Sequence, residues 1–397
     1  MPEIAEVARI VHFLRLRLVG KRIASATAID DANVFGKAGT TSADVEKALE
    51  GRTVVSAGNQ GKYFWITLDK PPHVVMHFGM TGEITSSRKP PVNDAGVDRH
   101  VPGWVHIRGD KTAYTNYYKK MKESELDQWP PRFWKFQVVT EGVPETEIAF
   151  TDPRRFGRVR LVHCPGESIR QYSPLVENGP DPVVDTDSFT IEYMRGKMRA
   201  RRVPIKALLL DQTVISGIGN WVADETLYHA KLHPEQYCDE FDDEAITKLF
   251  ESIRYVCQTA VDKLGDSDEF PEHWLFNHRW DKARKGNSSK LPNGEKLAFI
   301  TVGGRTSCYA PAVQKKSSGI AARVKTTENA DSDDSSSKTH KRKKTSSSRV
   351  KKEESDDDDT GGDAKKMRKQ SEMKSSKAKL EDEKGTTPRR RSGRLQK

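Results

Sequence analysis

The sequence predicts an α+β chain of several domains: an N-terminal helix with a β-sandwich or barrel, then a helical domain, a β-hairpin and a disordered basic tail. Three observations carry this. Apolar residues recur at helical spacing over the first twenty positions, five short β-rich runs lie between Lys62 and His163, and after about Pro182 the pattern turns helical.

From Glu3 to about Val19, the residues Ile4, Val7, Val11, Leu14 and Leu18 form the stripe of an amphipathic helix that Gly20 stops. Glu3 and Glu6, three apart, share one face of it. The runs KYFWITLD (Lys62 to Asp69), HVVMHF (His73 to Phe78), FWKFQVV (Phe133 to Val139), EIAFTD (Glu147 to Asp152) and RVRLVH (Arg158 to His163) read as strands separated by Pro, Gly and Asp clusters. Helices are expected over Thr186 to Lys197, Pro204 to Leu210, Trp221 to Ala230 and Glu244 to Leu264, with Gly265 stopping the last. KLAFITVGGRTSCYAP (Lys296 to Pro311) reads as a hairpin turning at Gly303-Gly304. From Ala312 onward there is no aromatic residue, and the Lys, Ser, Asp and Thr rich composition cannot bury enough apolar area to order itself.

At 397 residues the chain can bury more than one core, and no apolar run approaches the length of a membrane span. The first helix and the residues just after it carry Arg9, Arg15, Arg17, Lys21 and Arg22 among apolar residues, unlike a secretory signal, so a soluble intracellular protein is expected. Cys164, Cys238, Cys257 and Cys308 form no CxxC pair, which argues against a disulfide framework and a tetrahedral zinc site. The net charge of +10 is local: Ala312 to Lys397 holds 25 of the 67 Lys and Arg and 15 of the 57 Asp and Glu, leaving 42 of each sign for Met1 to Pro311. If the folded part binds a polyanion, it does so through a local basic groove.

The opening MPEIAEV suits a helix start, with acids at the positive end of the macrodipole, but it has a sharper reading. Removal of Met1 would leave Pro2 as a free secondary amine beside two carboxylates. In DQTVISGIGNWVADETLYHAKLHP (Asp211 to Pro234), a Gly-Ile-Gly-Asn turn opens a helix, with Asn220 behind the glycines and Lys206 upstream. Glycines and helix-start N–H groups suit a phosphate. TDPRRFGRVR (Thr151 to Arg160) packs four arginines around Phe156, and HFGMTG (His77 to Gly82) puts Met80 between glycines. An exposed Met, Arg and Phe on neighbouring loops would suit wedging into a base stack around an extruded nucleotide.

MPEIAEV, the lysine of GKYFW, HFGMTG, DPRRFG, LLLDQTVISGIGNWVADETLYHAKLHP and GGRTSCYAP occur in the order found in formamidopyrimidine-DNA glycosylases, the helix-two-turn-helix base-excision enzymes. The resemblance covers Met1 to Gln314, and the long charged tail resembles the plant and fungal branch. It implies a catalytic β-sandwich domain (1–165), a helix-two-turn-helix DNA-binding domain (183–265), a finger region without zinc (266–314) and a disordered basic tail (315–397). It further implies a bifunctional DNA glycosylase/AP lyase acting on oxidised purines. Pro2 would form the Schiff base, Glu3 would be the general acid-base with Glu6 positioning it, and Lys62 would lie beside the lesion and its phosphate. Pro2 suits the role because an α-amine titrates near pKa ~8, against ~10.4 for lysine. Met80, Arg154 and Phe156 match the residues that fill the void, and Lys206, Asn220 and Arg305 match phosphate-gripping positions. The implied partner is damaged double-stranded DNA, bound by a monomer with no cofactor, no metal and no membrane contact.

Two departures stand out. Ala5 replaces the family's usual proline, and Ala310 and Val313 replace two zinc-binding thiolates, with no first cysteine pair between Cys257 and Cys308. HKRKK (His340 to Lys344) and TPRRRSGR (Thr387 to Arg394) suggest nuclear import. Competing readings are an endonuclease VIII-like preference for oxidised pyrimidines and a non-catalytic damaged-DNA binder. The acidic, proline-bearing GDSDEFPEHWLFNHRW (Gly265 to Trp280) replaces the loop that caps flipped 8-oxoguanine in bacterial members. Ring-opened formamidopyrimidines and hydantoins are therefore expected to be excised faster than 8-oxoguanine.

Overall fold

The computed structural model describes residues 2–79, 103–114, 127–279 and 290–316. Met80 and residues 317–397 lie outside the described residues. Helix α1 (Ile4–Arg17) leads into β1 (Ile23–Ala28), α2 (Ser42–Leu49), β2 (Val54–Gln60), β3 (Tyr63–Leu68), β4 (His73–His77) and β5 (Trp104–Ile107). Then come β6 (Trp134–Thr140), β7 (Glu147–Thr151) and β8 (Arg158–Val162).

Among the described residues these strands form two antiparallel sheets, ordered β1-β6-β7-β5 and β2-β3-β4-β8. Their inner faces share one core with α1, as in a β-sandwich. Phe78 and Phe150 stack there with centroids 4.8 Å apart, flanked by Phe64 and Phe136. Burial of such a side chain contributes roughly 1.5–3 kcal/mol.

The helical part comprises α3 (Ile191–Arg199), α4 (Ile205–Leu210), α5 (Asn220–His229) and α6 (Asp243–Asp262). Its own core joins Met194, Leu209, Val222, Ile253 and Trp274, and Ile4 and Ala5 of α1 belong to it. Helix α1 therefore reaches both cores, which is why even its polar Arg9 is buried, donating to the carbonyls of Ala113 (3.1 Å) and Leu264 (3.2 Å). Strands β9 (Ala298–Val302) and β10 (Arg305–Tyr309) pair as the expected hairpin, with Gly303 and Gly304 at φ +57° and +70°. No helix among the described residues is long and apolar enough to cross a membrane.

Some expectations shift. The helix expected from Thr186 starts at Ile191, because residues 185–189 form a turn on the Asp185 carbonyl and the Thr190 side chain caps the Tyr193 N–H at 3.2 Å. Glu3 precedes the helix as its N-cap, and Glu6, three residues on, folds back to its N–H. Strands β1, β2 and β5 and helix α2 lie outside the expected runs; Ala and Ser in IASATA and Ser, Ala, Gly and Asn in SAGNQ dilute the strand signal of β1 and β2. Gly58 of β2 is required: a Cβ there would lie 2.5 Å from the Trp65 ring. The fold also extends past the compositional boundary at Ala312. Gln314 is buried, its Nε2 donating to the Leu232 carbonyl at 2.8 Å and its Oε1 accepting from the Ala310 N–H at 2.7 Å.

Candidate active site

The N-terminus, the β2–β3 turn, the loop before α5 and the start of β10 meet at one place. Gly61, at φ +58°, makes the turn; a Cβ there would lie 2.5 Å from the Gly217 nitrogen and the Ser216 Cβ. That close approach carries Lys62 inside, where its Nζ donates to the Ile218 carbonyl at 2.6 Å. Gln212 braces the same loop, accepting from the Gly217 N–H (3.0 Å) and donating to the Ile218 carbonyl (2.8 Å). Asp181 accepts from the Gly61 N–H at 2.7 Å, and the Ile4 N–H donates to the Gly217 carbonyl at 3.1 Å. The turn, the glycine loop and the chain start are thus fixed to one another.

Pro2 is buried and immediately precedes Glu3, whose carboxylate reaches the first turn of α5. Its Oε1 accepts from the Trp221 N–H and its Oε2 from the Val222 N–H, both at 3.1 Å. A helix N-terminus stabilises negative charge, so two otherwise orphaned donors hold this buried anion. Gly219 leaves the room, since a Cβ there would lie 2.2 Å from the Glu3 Cδ. The Oε2 of Glu6 accepts from the Glu3 N–H at 3.0 Å. Burial, reinforced by the Glu3 charge, pushes the Glu6 carboxyl up to about 7. Burial pulls the Lys62 ammonium down to about 8, against the opposing pull of Glu3. Glu6 and Lys62 therefore both titrate near neutrality, close to the N-terminus.

Arg305 opens β10, and its charge also acts to lower the Lys62 ammonium. Asn220, first residue of α5, donates from Nδ2 to the Thr306 carbonyl at 3.0 Å, while its Oδ1 is buried without a hydrogen-bond partner. Lys206, expected at a phosphate, lies inside the fold. It is fully buried and paired with Asp224. Asp224 also binds the Arg279 guanidinium (2.6 Å) and the Cys308 N–H (3.0 Å), locking the hairpin onto α5. An apolar α4 carrying one lysine gave no sign of this inward pairing.

The second group lies on the DPRRFG turn. Gly79, at φ +81°, passes so close that a Cβ would lie 2.2 Å from the Phe156 carbonyl oxygen. Phe156 is 40% exposed. The Arg154 guanidinium carbon is 5.6 Å from the ring centroid, and its Nε and Nη2 have no hydrogen-bond partner. His77 links the two groups, stacking on Tyr63 at 4.5 Å. Burial, with Lys62, Arg158 and Arg160 nearby, pushes the His77 imidazole down to about 3. Its Nδ1 accepts from the Gly79 N–H at 3.0 Å, so the neutral ring carries its proton on Nε2. Sequence reasoning missed His77, Asp181 and Gln212, because none belongs to a pattern that predicts its partner.

At the hairpin, Ala310 is buried with Leu275, Leu291, Leu297 and Cys308, and Val313 packs against them. Among the described residues, no three His, Cys, Asp or Glu side chains are grouped to hold a metal ion.

Residues 1–159 match the profile of the formamidopyrimidine-DNA glycosylase N-terminal domain, and residues 178–271 that of the formamidopyrimidine-DNA glycosylase H2TH domain. A formamidopyrimidine-DNA glycosylase of Arabidopsis thaliana is 35% identical over 329 residues, 82% of this chain and 74% of the relative. One from Heliobacterium modesticaldum is 28% identical, over 79% of this chain and all of the relative. The fold is shared with the Lactococcus lactis enzyme non-covalently bound to DNA containing an AP site, with a TM-score of 0.58 and 23% identity over 79% of this chain and all of that one. The same enzyme with DNA containing N7-benzyl-Fapy-dG gives 0.59 and 24%, with the same coverage. By the two domain profiles and the Arabidopsis relative, the chain belongs to the formamidopyrimidine-DNA glycosylase family.

Proposed function

We propose that this protein is a bifunctional DNA glycosylase/AP lyase that excises oxidised purines, acting as a monomer on damaged double-stranded DNA. Pro2, freed by removal of Met1, attacks C1′ of the extruded nucleotide and displaces the base, and the resulting iminium permits strand cleavage by elimination. Glu3 takes up the proton that Pro2 loses on bonding to C1′ and delivers it to the sugar ring oxygen, and Glu6 holds the Glu3 backbone. Lys62, Asn220 and Arg305 bind phosphate around the lesion, while Met80, Arg154 and Phe156 fill the gap left in the duplex. The observation that supports this best is the buried Glu3 carboxylate beside Pro2, held by two N–H groups of α5 within reach of the Lys62 charge.

Borohydride trapping on duplexes with single lesions tests the reading. A covalent adduct on formamidopyrimidine or abasic DNA, lost in Pro2→Gly and kept in Lys62→Ala, is expected. Binding without trapping would leave a damaged-DNA binder, and faster release of oxidised pyrimidines would place the chain with endonuclease VIII-like enzymes.

The finger works without zinc in this reading, as in a plant or fungal type of the family. Leu275, Leu291, Leu297 and Ala310 supply by packing, and Asp224 by its hydrogen bond to Cys308, the support that thiolates would otherwise give. Strong chelation is expected to leave strand cleavage unchanged, and stoichiometric zinc in the purified protein would contradict this.

A further inference from the structure

The turn bearing Arg154 and Phe156 is held from two sides. Its backbone is fixed by the buried Asp152, whose carboxylate accepts from the N–H groups of Arg154 (3.2 Å), Arg155 (3.0 Å) and Gly157. Its side is fixed by Arg155, which sits at φ +56° between the two wedge residues and turns away from them. Arg155 makes a two-pronged contact with Asp31, Nε to Oδ2 at 2.8 Å and Nη2 to Oδ1 at 2.9 Å. Asp31 is 5% exposed and lies in the loop after β1; it also accepts from the N–H groups of Asn33 (2.9 Å) and Val34 (3.2 Å) and from Lys135 Nζ (3.0 Å). A left-handed backbone is unfavourable for a non-glycine residue, and the charged two-pronged pair with Asp31 holds Arg155 in it.

We infer that Asp31 is a positioning residue for lesion recognition: by capturing Arg155 it fixes the angle at which Arg154 and Phe156 enter the duplex, and it keeps one arginine off the phosphates. This rests on the proposed glycosylase function. Asp31 itself touches no DNA. Releasing Arg155 lets the turn relax and frees a cation beside the DNA, so lesion capture weakens while sequence-independent attraction grows. A fold defect would weaken both.

The test compares Asp31→Asn, which keeps the shape and removes the charge, with Arg155→Gln, which breaks the same pair and frees no charge. Three quantities are read: single-turnover excision from a formamidopyrimidine duplex, cleavage at an abasic site in single-stranded DNA, and the salt dependence of binding to undamaged duplex. Both variants should slow duplex excision about tenfold or more, since small misplacements near reacting groups are costly. Both should cleave the single strand at the wild-type rate, because no opposing strand leaves a void to fill. Only Asp31→Asn should steepen the salt slope, by about 0.9 for each cation it releases to a phosphate, Arg155 first and Lys135 beside it. Wild-type duplex rates in both variants, an equal loss on single and double strands, or an unchanged slope in Asp31→Asn would overturn the inference. If the wild-type chain cleaved neither substrate, the proposed function would fail, and the slope, which requires no catalysis, would still decide the role of Asp31.

Discussion

The carboxylate of Glu3 and the α-carbon of Gly219 are in contact: a methyl group at residue 219 would lie 2.2 Å from the Glu3 Cδ. The backbone cannot retreat easily, because the Trp221 and Val222 N–H groups hold the carboxylate and the Gly219 carbonyl accepts from Ala223.

Gly219→Ala should therefore displace Glu3 and reduce base excision at least a hundredfold, while costing roughly 1–3 kcal/mol of stability from overpacking. Gly196→Ala is the control. That glycine lies inside α3 with open space around it, so alanine there should stabilise by up to ~1 kcal/mol and leave excision alone. Single-turnover rates and thermal melts check both, and a fully active Gly219→Ala enzyme would remove Glu3 from the chemistry.

The two perturbed groups predict opposite pH slopes. Glu6 titrates at about 7 when folded, against an ordinary carboxyl value of 4.5, so the folded chain holds an extra proton in that window and stability falls as pH rises through it. Lys62 titrates at about 8 against an ordinary 10.5, so the unfolded chain holds the extra proton and stability rises across that window. Glu6→Gln should abolish the first slope, stabilising the protein on the order of 1–3 kcal/mol at pH 7.5 and far less at pH 5. Excision should decline on the alkaline side with a midpoint near 8, as Lys62 loses its charge. Melts that match wild type at both pH values would show that Glu6 does not titrate there.

The end of the fold can be located by truncation. A chain stopped at Lys316 keeps Gln314 and the Lys316 to Glu235 ion pair (2.9 Å), and should excise bases normally on short duplexes. A chain stopped at Pro311 loses the Gln314 bonds to Leu232 and Ala310, and should melt lower with weakened DNA binding. If 317–397 directs nuclear import and tethers DNA, the longer truncation should lose nuclear enrichment and flatten the salt dependence of binding. Unaltered nuclear enrichment would remove HKRKK and TPRRRSGR as its cause.

Lesion preference rests on the passage after α6. Its backbone N–H groups at Leu275 (3.0 Å) and Phe276 (2.8 Å) are spent on the buried Glu225, and Phe270 and Trp274 are sunk in the helical core. Those donors cannot also close over a flat base. Formamidopyrimidines and hydantoins, which unstack with less effort, should be released faster than 8-oxoguanine in matched duplexes. Equal rates would mean that another segment forms the cap.

The local elements are legible in the sequence. Periodicity located α1, α6 and most strands, and Gly-Gly placed the hairpin turn, because these depend on neighbours in the chain. The motif order also named the residues around the N-terminus. Which polar groups face inward was settled only by folding. Lys206 and Lys62 are both lysines near glycine-rich turns, yet Lys206 is neutralised by Asp224 behind the hairpin, whereas Lys62 lies among Glu3, Glu6 and Arg305. Likewise Arg154 and Arg155 are adjacent, yet it is Arg155 that pairs with the distant Asp31. A buried charge must find a partner, and that partner can come from any part of the chain, so its identity appears only once the chain has folded.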